Sequence, residues 1–299
     1  MNRWWIYQRE RFPLVAHGPL IAAFSASAVS YSALLRGADE LPRWESYAVA
    51  FWVSLGSFLL LRIADEFKDA EEDAQWRPYR PVPRGLVTLR ELGWVGVAVG
   101  AAQLIAVSLL GWQLAGLLVV TWIYFGLMSK EFFARKWLKE RPVIYLFSHM
   151  AIMPLVDWFA TGCDWVPSGE SMPAGLLWFL AASFCNGVVI ELGRKIRAPE
   201  QEERGVETYS FLWGRPVAVT AWLAAMAATL GCAMMAAGRI GFVAEVAWVL
   251  GGLWVGAAVL GGIFLKTLKG KLAKGIEAVA GIWTLALYLT LGVVPLVAR

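Results

Sequence analysis

Long apolar segments recur along the whole chain and are separated by polar or charged connections. Each segment is about 20 residues long, which is the length that an α-helix needs to cross the hydrocarbon core of a bilayer. Backbone polar groups inside lipid must be satisfied within the protein, so the segments are expected to be helices that pack into a bundle. We predict nine spans, at residues 13–35, 46–64, 91–111, 114–133, 143–161, 173–193, 215–238, 241–265 and 274–297.

The composition supports a membrane protein over a large soluble helical one. Hydrophobic residues make up 59% of the 299 residues and charged residues 17%, whereas a soluble domain carries about 25% charged residues. The mean hydropathy is +0.57. We therefore predict an all-α integral membrane fold of nine helices. Residues 1–299 are expected to form one polytopic membrane domain.

The distribution of basic residues predicts the orientation in the membrane. On the nine-helix count, 23 of the 27 Lys and Arg residues fall in five segments that share one face: 1–12, 62–90, 130–141, 194–215 and 266–274. The opposite face holds the remaining four: Arg36, Arg43, Arg239 and Arg299. Because cytoplasmic loops carry the excess of Lys and Arg, we expect the N-terminus and the long loops to be cytoplasmic and the C-terminus to lie on the opposite face. A cell inner membrane is the expected location.

Other readings of the charge and of the cysteines find no support in the sequence. The formal net charge of +4 is explained by membrane orientation, and no nucleic-acid-binding module is visible. The three cysteines form no spacing typical of a disulfide framework or of a zinc site.

The densest acidic cluster follows the second predicted helix. In the segment DEFKDAEED at 65–73, Asp65, Asp69 and Asp73 recur at every fourth residue, on one face of a helix. The segment holds six acids and one Lys, and unpaired like charges repel strongly at the end of a membrane helix. Mg²⁺ would relieve that repulsion, because it prefers oxygen ligands and is held by carboxylates together with substrate phosphates. A solvated acidic helix end is the alternative.

An arginine-rich segment follows at once, with the sequence WRPYRPVPRGLV at 76–87. Arg77, Arg80 and Arg84 alternate with prolines, which fix the backbone and hold the guanidinium groups on a stiff loop. Guanidinium groups match phosphate oxygens in pairs. The alternative is that these arginines only mark the cytoplasmic side or neutralise the neighbouring acids. Together, the two segments favour a site for a metal ion and a diphosphate.

The chain resembles the UbiA superfamily of intramembrane prenyltransferases, which are nine-helix proteins. The resemblance implies a central cavity open toward the cytoplasmic side, with active-site loops at about 65–90 and 191–214. The family's first motif reads N-D-x-x-D-x-x-x-D and is followed by a segment like R-P-x-x-x-G. Asp65 stands here at the Asn position, Glu66 at the first Asp, and Asp69 and Asp73 at the other two, while residues 80–85 match the second segment. The resemblance implies that all four acids bind Mg²⁺ and that the arginines bind the diphosphate of an isoprenoid.

The family's second motif, D-x-x-x-D, is altered in this chain. The segment at 186–214 keeps the trailing G-x-x-T at Gly205 and Thr208, but it contains no Asp. The resemblance places Glu191 at the leading acid and either Glu200 or Glu202 at the later one.

Basic residues also occur inside this altered motif. Arg194, Lys195 and Arg197 are expected to contact the diphosphate and to replace part of a second Mg²⁺ shell. Lys130, at the end of the fourth helix, matches a family lysine that meets the diphosphate.

The resemblance implies an enzyme that transfers an alkyl group other than methyl. Mg²⁺ on Asp65, Glu66, Asp69, Asp73, Glu191 and Glu202 would bind a prenyl diphosphate. Arg77, Arg80, Arg84, Lys130, Arg194 and Lys195 would stabilise the leaving diphosphate. Asp65, Asp69, Asp73 and Glu191 are the expected catalytic acids, and an acceptor within the bilayer would capture the prenyl group. A membrane terpene cyclase and a non-catalytic lipid or ion carrier on the same fold are the alternatives.

His149 lies in the fifth predicted helix, with Tyr145 one turn before it. An intramembrane ionisable residue often has a function, and an acid–base role beside an acceptor is one possibility. A structural histidine bonded to a neighbouring helix is the favoured interpretation.

Overall fold

The computed structural model describes residues 2–38 and 40–298, so Arg299, assigned above to the opposite face, lies outside the described residues. Those ranges contain no strand. The helices are α1 (Arg3–Arg11), α2 (Leu14–Arg36), α3 (Trp44–Lys68), α4 (Ala70–Trp76), α5 (Leu89–Leu110), α6 (Ala115–Ser129), α7 (Arg135–Lys139), α8 (Pro142–Met150), α9 (Ile152–Trp165), α10 (Leu176–Arg194), α11 (Tyr209–Leu212), α12 (Arg215–Ala237), α13 (Val243–Thr267), α14 (Gly270–Leu291) and α15 (Val293–Val297).

Nine segments of the described chain are long and apolar enough to cross a membrane, and each lies within a few residues of a predicted span. The prediction of a nine-helix fold is confirmed. The fifth segment is built from two helices, α8 and α9, that meet at Ala151. Pro154 explains this break, because proline donates no backbone hydrogen bond and its ring clashes with the carbonyl four residues earlier, here that of Met150.

The helices form one bundle, in which α10 packs on α12 and α14, and α2 packs on α3, α9 and α14. Large side chains fill the space between them, including Tyr31, Phe179, Trp222, Trp283 and Tyr288. α5 and α13 lie at the edge of the bundle and leave many apolar side chains exposed. In a membrane protein such faces meet lipid, so their exposure agrees with the hydropathy of the chain.

The basic segments meet at one end of the bundle, as the sequence predicted. We call it the charged end; it comprises residues 2–12, 65–90, 130–141, 194–214 and 268–271. The segment before α14 joins it through the backbone N–H of Gly270, which donates to Glu200 over 2.8 Å. At the opposite end, Arg36 forms an ion pair of 2.7 Å with Asp164.

The N-terminal helix α1 lies across the charged end. Tyr7 is buried against Ile63, Val87 and Leu92, so α1 is anchored on α3 and α5. Asn2 begins the helix by accepting a hydrogen bond from the backbone N–H of Trp4. The last turn of α1 is therefore fixed beside the acidic segment that ends α3.

Candidate active site

A cavity of about 660 Å³ opens at the charged end. Its wall is built by α3, α4, α8, α9, α10 and α11, together with the ends of α1, α6 and α7. Charged side chains from the loops line one part, whereas Leu61, Met128, Ile152 and Met153 line another. Among the described residues, the lining includes nine Lys and Arg and six Asp and Glu. Such a cavity suits an amphipathic molecule with an anionic headgroup.

Asp65 and Asp69, two of the acids expected to bind Mg²⁺, both line this cavity. Asp65 lies in the last turn of α3 and Asp69 forms the junction with α4. The Asp65 side chain is 42% exposed, and its carboxylate lies 3.4 Å from Arg62 and 3.9 Å from Lys68. The Asp69 carboxylate forms no hydrogen bond or ion pair with any described residue. Burial raises the pKa of Asp69; Asp65 and Asp73 raise it further, while Lys68 and Arg77 oppose the rise.

Asp73 does not join the other two aspartates at the cavity wall. It is buried, and its two carboxylate oxygens lie 2.7 Å from Arg77 and 2.6 Å from Arg80. Both arginines line the cavity, so Asp73 holds them toward it. Arg84 lies outside the lining, where it contacts Glu10 over 2.9 Å and the carbonyl of Tyr79 over 3.0 Å.

Glu66 does not line the cavity either. It is 1% exposed and forms an ion pair with Arg11 from the end of α1. Arg11 itself lines the cavity. The residue at the family's first Asp position is therefore neutralised by an arginine from the N-terminal helix.

In the second motif, two basic side chains contact one buried glutamate. Glu191 lines the cavity but is 7% exposed. Arg194 Nε donates to it over 2.6 Å, and Lys195 Nζ lies 2.9 Å from its other oxygen. The helical spacing of three and four residues brings these side chains together on one face of α10. Both cations line the cavity.

Glu202 and Lys130 lie outside the cavity lining. Glu202 accepts a hydrogen bond of 2.7 Å from the Thr208 hydroxyl, and Arg215 lies 3.7 Å away. Thr208 also caps α11 through the backbone N–H of Phe211. Glu202 therefore braces the second loop. Lys130 is exposed at the end of α6.

The two loops meet across the cavity mouth at Trp76 and Gly205. Gly205 has a φ of +78°, and a Cβ on it would lie 2.5 Å from the Trp76 ring. The Arg204 guanidinium lies 5.5 Å from the centre of the same ring. Tyr79 also donates a hydrogen bond of 3.0 Å to Glu203. The glycine of the G-x-x-T pattern is required because only a residue without a side chain fits against the indole.

The sequence analysis missed Lys68 as a cavity residue; it lies beside Tyr145 and His149 on the cavity wall. Lys68 donates to the Tyr145 hydroxyl over 2.9 Å, and the Tyr145 ring stacks on His149 with their centres 3.9 Å apart. The Nδ1 atom of His149 lies 2.9 Å from the Tyr145 carbonyl. The histidine is thus bonded within its own helix, and the expected bond to a neighbouring helix is wrong. The position of Lys68 beside Asp69 is the sequence feature that could have identified it as a cavity residue.

Further cations on the wall come from α3 and α7. They are Arg62, Arg135 and Lys139. Lys139 forms an ion pair with Glu72, and Arg135 lies 3.2 Å from Glu131. Nothing in their spacing distinguishes them from ordinary basic residues at a membrane helix end.

The residues present fit a Mg²⁺ ion held partly by phosphate. In the described part of the chain, no three His, Cys, Asp or Glu side chains are arranged to bind a metal ion by themselves. Mg²⁺ is typically held by one or two carboxylates plus substrate phosphates. Asp65 and Asp69 supply that number on one wall of the cavity.

The fold and the cavity define a polytopic membrane protein with a cavity between its helices that is lined by both charged and apolar side chains. The chain belongs to the UbiA prenyltransferase family, whose model matches residues 24–274. The predicted family is confirmed. Enzymes of this family act on prenyl diphosphates in a lipid environment and generally use Mg²⁺.

Two solved structures share the fold. The apo structure of a UbiA homologue from Aeropyrum pernix K1 aligns over 94% of this chain and 98% of that chain, with a TM-score of 0.67 and 14% identity. A structure of digeranylgeranylglyceryl phosphate synthase aligns over 100% of both chains, with a TM-score of 0.59 and 13% identity. A comparison with the sequences of curated proteins finds no match.

Proposed function

We propose that this protein transfers the prenyl group of an allylic prenyl diphosphate to an acceptor in the membrane and releases pyrophosphate. The observation that carries the proposal is the cavity of about 660 Å³, on whose wall the half-exposed Asp65, the unpaired Asp69, several arginines and apolar side chains meet. The diphosphate would lie against the charged wall and the isoprenoid chain against the apolar one. The family supports prenyl transfer in general.

Asp65 and Asp69 would hold Mg²⁺ together with the diphosphate, and the metal would supply Lewis-acid stabilisation of the leaving group. The chain's own cations add to this effect. Arg77 and Arg80 are held in place by Asp73, and Arg194 and Lys195 are held by Glu191 on another helix. Because they are fixed before the reaction, they stabilise the charge that develops on the diphosphate without having to reorganise.

We expect the isoprenoid chain to extend along the apolar wall, past α3 and toward α6. Leu61 and Ile152 line the large cavity and also a small pocket of about 10 Å³, which Trp122 and Phe125 help to enclose. These residues belong to α3, α6 and α9. Tyr145 stands on the cavity wall near the charged residues, where an aromatic ring stabilises positive charge at the allylic carbon. The apolar surroundings exclude water from that carbon.

The location of the charged end supports a cytoplasmic opening of the cavity. Most Lys and Arg residues gather there, and the positive-inside rule places such segments in the cytoplasm. Substrate made in the cytoplasm would then reach the site directly.

The test uses the purified full chain in lipid nanodiscs with Mg²⁺ and allylic diphosphates of about ten to twenty carbons. Released pyrophosphate and prenylated products are measured with a panel of phenolic and quinone-type acceptors and without acceptor. Acceptor-dependent release, with a stoichiometric prenylated product, is the expected result. Release with a cyclic hydrocarbon product and no need for an acceptor would replace this proposal by the cyclase. Binding of the diphosphate without any release would replace it by the carrier.

A further inference from the structure

We propose that His149 is a catalytic residue that takes the proton from a hydroxyl group of the prenyl acceptor, and that the acceptor is therefore a neutral hydroxyl compound. This inference rests on the proposed function. It names the side chain that contacts the acceptor and the chemical class to which the acceptor belongs.

The hydrogen bonds of the His149 ring determine its tautomer. The Nδ1 atom lies 2.9 Å from the carbonyl oxygen of Tyr145, which can only accept a hydrogen bond, so Nδ1 carries the hydrogen. In the neutral ring, Nε2 then holds a lone pair. No described residue forms a hydrogen bond with Nε2, although the atom is buried. A buried acceptor atom without a donor costs about 1–3 kcal/mol, which a donor on a bound molecule would recover.

His149 lies on the part of the wall where the acceptor is expected. It belongs to a membrane span and lines the cavity, as do Met150 and Met153. Among the described lining residues, Asp69 and Glu207 are the acids without an ion pair. Both belong to the charged end, where the diphosphate is expected. His149 is therefore the base that is available deeper in the bundle.

The lone pair of Nε2 also restricts the chemistry of the acceptor. It requires a hydrogen-bond donor, which a hydroxyl group supplies and a carboxylate does not. A protonated amine would donate as well, but it would be repelled by the nine Lys and Arg residues that line the cavity. One of them, Lys68, lies 5.5 Å from the centre of the Tyr145 ring that stacks on His149. A neutral hydroxyl compound meets both conditions.

A strained turn holds an aromatic ring against the histidine. Glu131, Phe132 and Phe133 have φ values of 49°, 52° and 58°, and a left-handed backbone costs a residue other than glycine about 1–2 kcal/mol. The turn places the Phe132 ring roughly perpendicular to the imidazole, with the ring centres 6.3 Å apart. Backbone strain of this kind clusters at functional sites. We expect relaxation of the turn to move Phe132 and to admit the acceptor to Nε2.

The transfer step forms a prenyl ether. The hydroxyl oxygen bonds to the allylic carbon as the bond from that carbon to the diphosphate oxygen breaks, and the electron pair of the broken bond leaves with pyrophosphate. The hydroxyl proton passes to Nε2, and the Tyr145 carbonyl stabilises the resulting imidazolium through Nδ1. The proton then returns to water through the mouth of the cavity.

Nitrogen NMR of the full chain in nanodiscs, with ¹⁵N-labelled histidine, tests the contact because the chain has only two histidines. His17 is an internal control: its Nδ1 lies 3.1 Å from the Pro13 carbonyl, also four residues earlier, and it does not line the cavity. The probes are para-hexylphenol and decanol, each added with an unreactive prenyl thiolodiphosphate. We expect His149 in the Nδ1–H form and a shift of its Nε2 signal alone. An Nε2–H form, or no shift with either probe, would overturn the inference.

Asparagine variants test the chemical role. His149→Asn keeps an amide N–H for the Tyr145 carbonyl but removes Nε2, and His17→Asn is the matched control. His149→Asn should lower kcat for transfer to para-hexylphenol by about 100-fold or more, as expected for a lost general base, and leave the Kd of the thiolodiphosphate unchanged. Transfer to pentafluorophenol, which is already ionised at neutral pH, should fall far less. An equal loss with both phenols, or an equal loss in His17→Asn, would refute the inference.

The same assays separate this inference from the proposed function. Prenyl transfer that is unaffected by His149→Asn would overturn the role of the histidine and leave the function in place. A shift at His149 with hydroxyl compounds that are never prenylated would support the contact and overturn the proposed function.

Discussion

The contact between Gly205 and Trp76 joins the two loops over the cavity. Adding a single methyl group at residue 205 tests the importance of this contact. In Gly205→Ala, the new Cβ would lie 2.5 Å from the indole ring of Trp76. The backbone there has a φ of +78°, which disfavours any residue with a side chain. We expect the second loop to detach from the first and the cavity mouth to open.

The magnitude follows from two separate costs. A left-handed backbone costs alanine about 1–2 kcal/mol, and overpacking by a methyl group costs about 1–3 kcal/mol. The sum is about 2–5 kcal/mol, which shifts the equilibrium between attached and detached loop by at least about 30-fold. Gly241→Ala is the matched control, because Gly241 has a φ of +72° but nothing within 4 Å of the position that a methyl group would take. It carries only the backbone cost and lies at the other end of the bundle.

Trypsin cleavage after Arg204 measures the detached state, because the Arg204 side chain stacks on Trp76 in the closed arrangement. Cleavage of the native protein is followed by mass spectrometry and normalised to the rate for the unfolded chain. Gly205→Ala should be cut at least about 30 times faster than the unchanged protein, and its KM for prenyl diphosphate should rise. The same cleavage rate in Gly205→Ala, Gly241→Ala and the unchanged protein would refute the reasoning.

Three further predictions concern the cavity wall. Asp69→Asn should abolish Mg²⁺-dependent pyrophosphate release, whereas Glu140→Gln, an exposed acid outside the lining, should leave it unchanged; equal loss in both would contradict the site. Arg80→Gln should raise the KM for prenyl diphosphate by about 10- to 100-fold. Arg84→Gln should raise it less, because Arg84 contacts Glu10 and Tyr79 outside the cavity, and the reverse order would contradict this assignment. Leu61→Phe should lower turnover of twenty-carbon diphosphates more than that of ten-carbon ones, and an equal effect would exclude the apolar route past α3.

Much of the first loop could be predicted from residue order. Asp65 and Asp69 lie one helical turn apart, so local geometry puts both at the end of one helix, and the structure places both on the cavity wall. The prediction failed to separate them from Asp73 and Glu66, which have the same chemistry. Asp73 and Glu66 differ from the free acids because they form ion pairs, Asp73 with Arg77 and Arg80 and Glu66 with Arg11. Arg11 belongs to a helix that begins more than fifty residues earlier.

The sequence by itself determined the spans, the family and the gathering of basic segments at one end. The spans and the gathering of basic segments depend on local hydropathy and charge, and the family depends on motif residues at fixed spacing; all of these are properties of single segments. Only the tertiary structure decided which acids remain free and which are neutralised, because ion pairing depends on which helix ends meet. It also decided that the Gly205 backbone lies against Trp76 and that Lys68 contacts Tyr145. Residues distant in the chain meet there because van der Waals packing and hydrogen bonds between the membrane helices decide which helix ends lie side by side in the bundle.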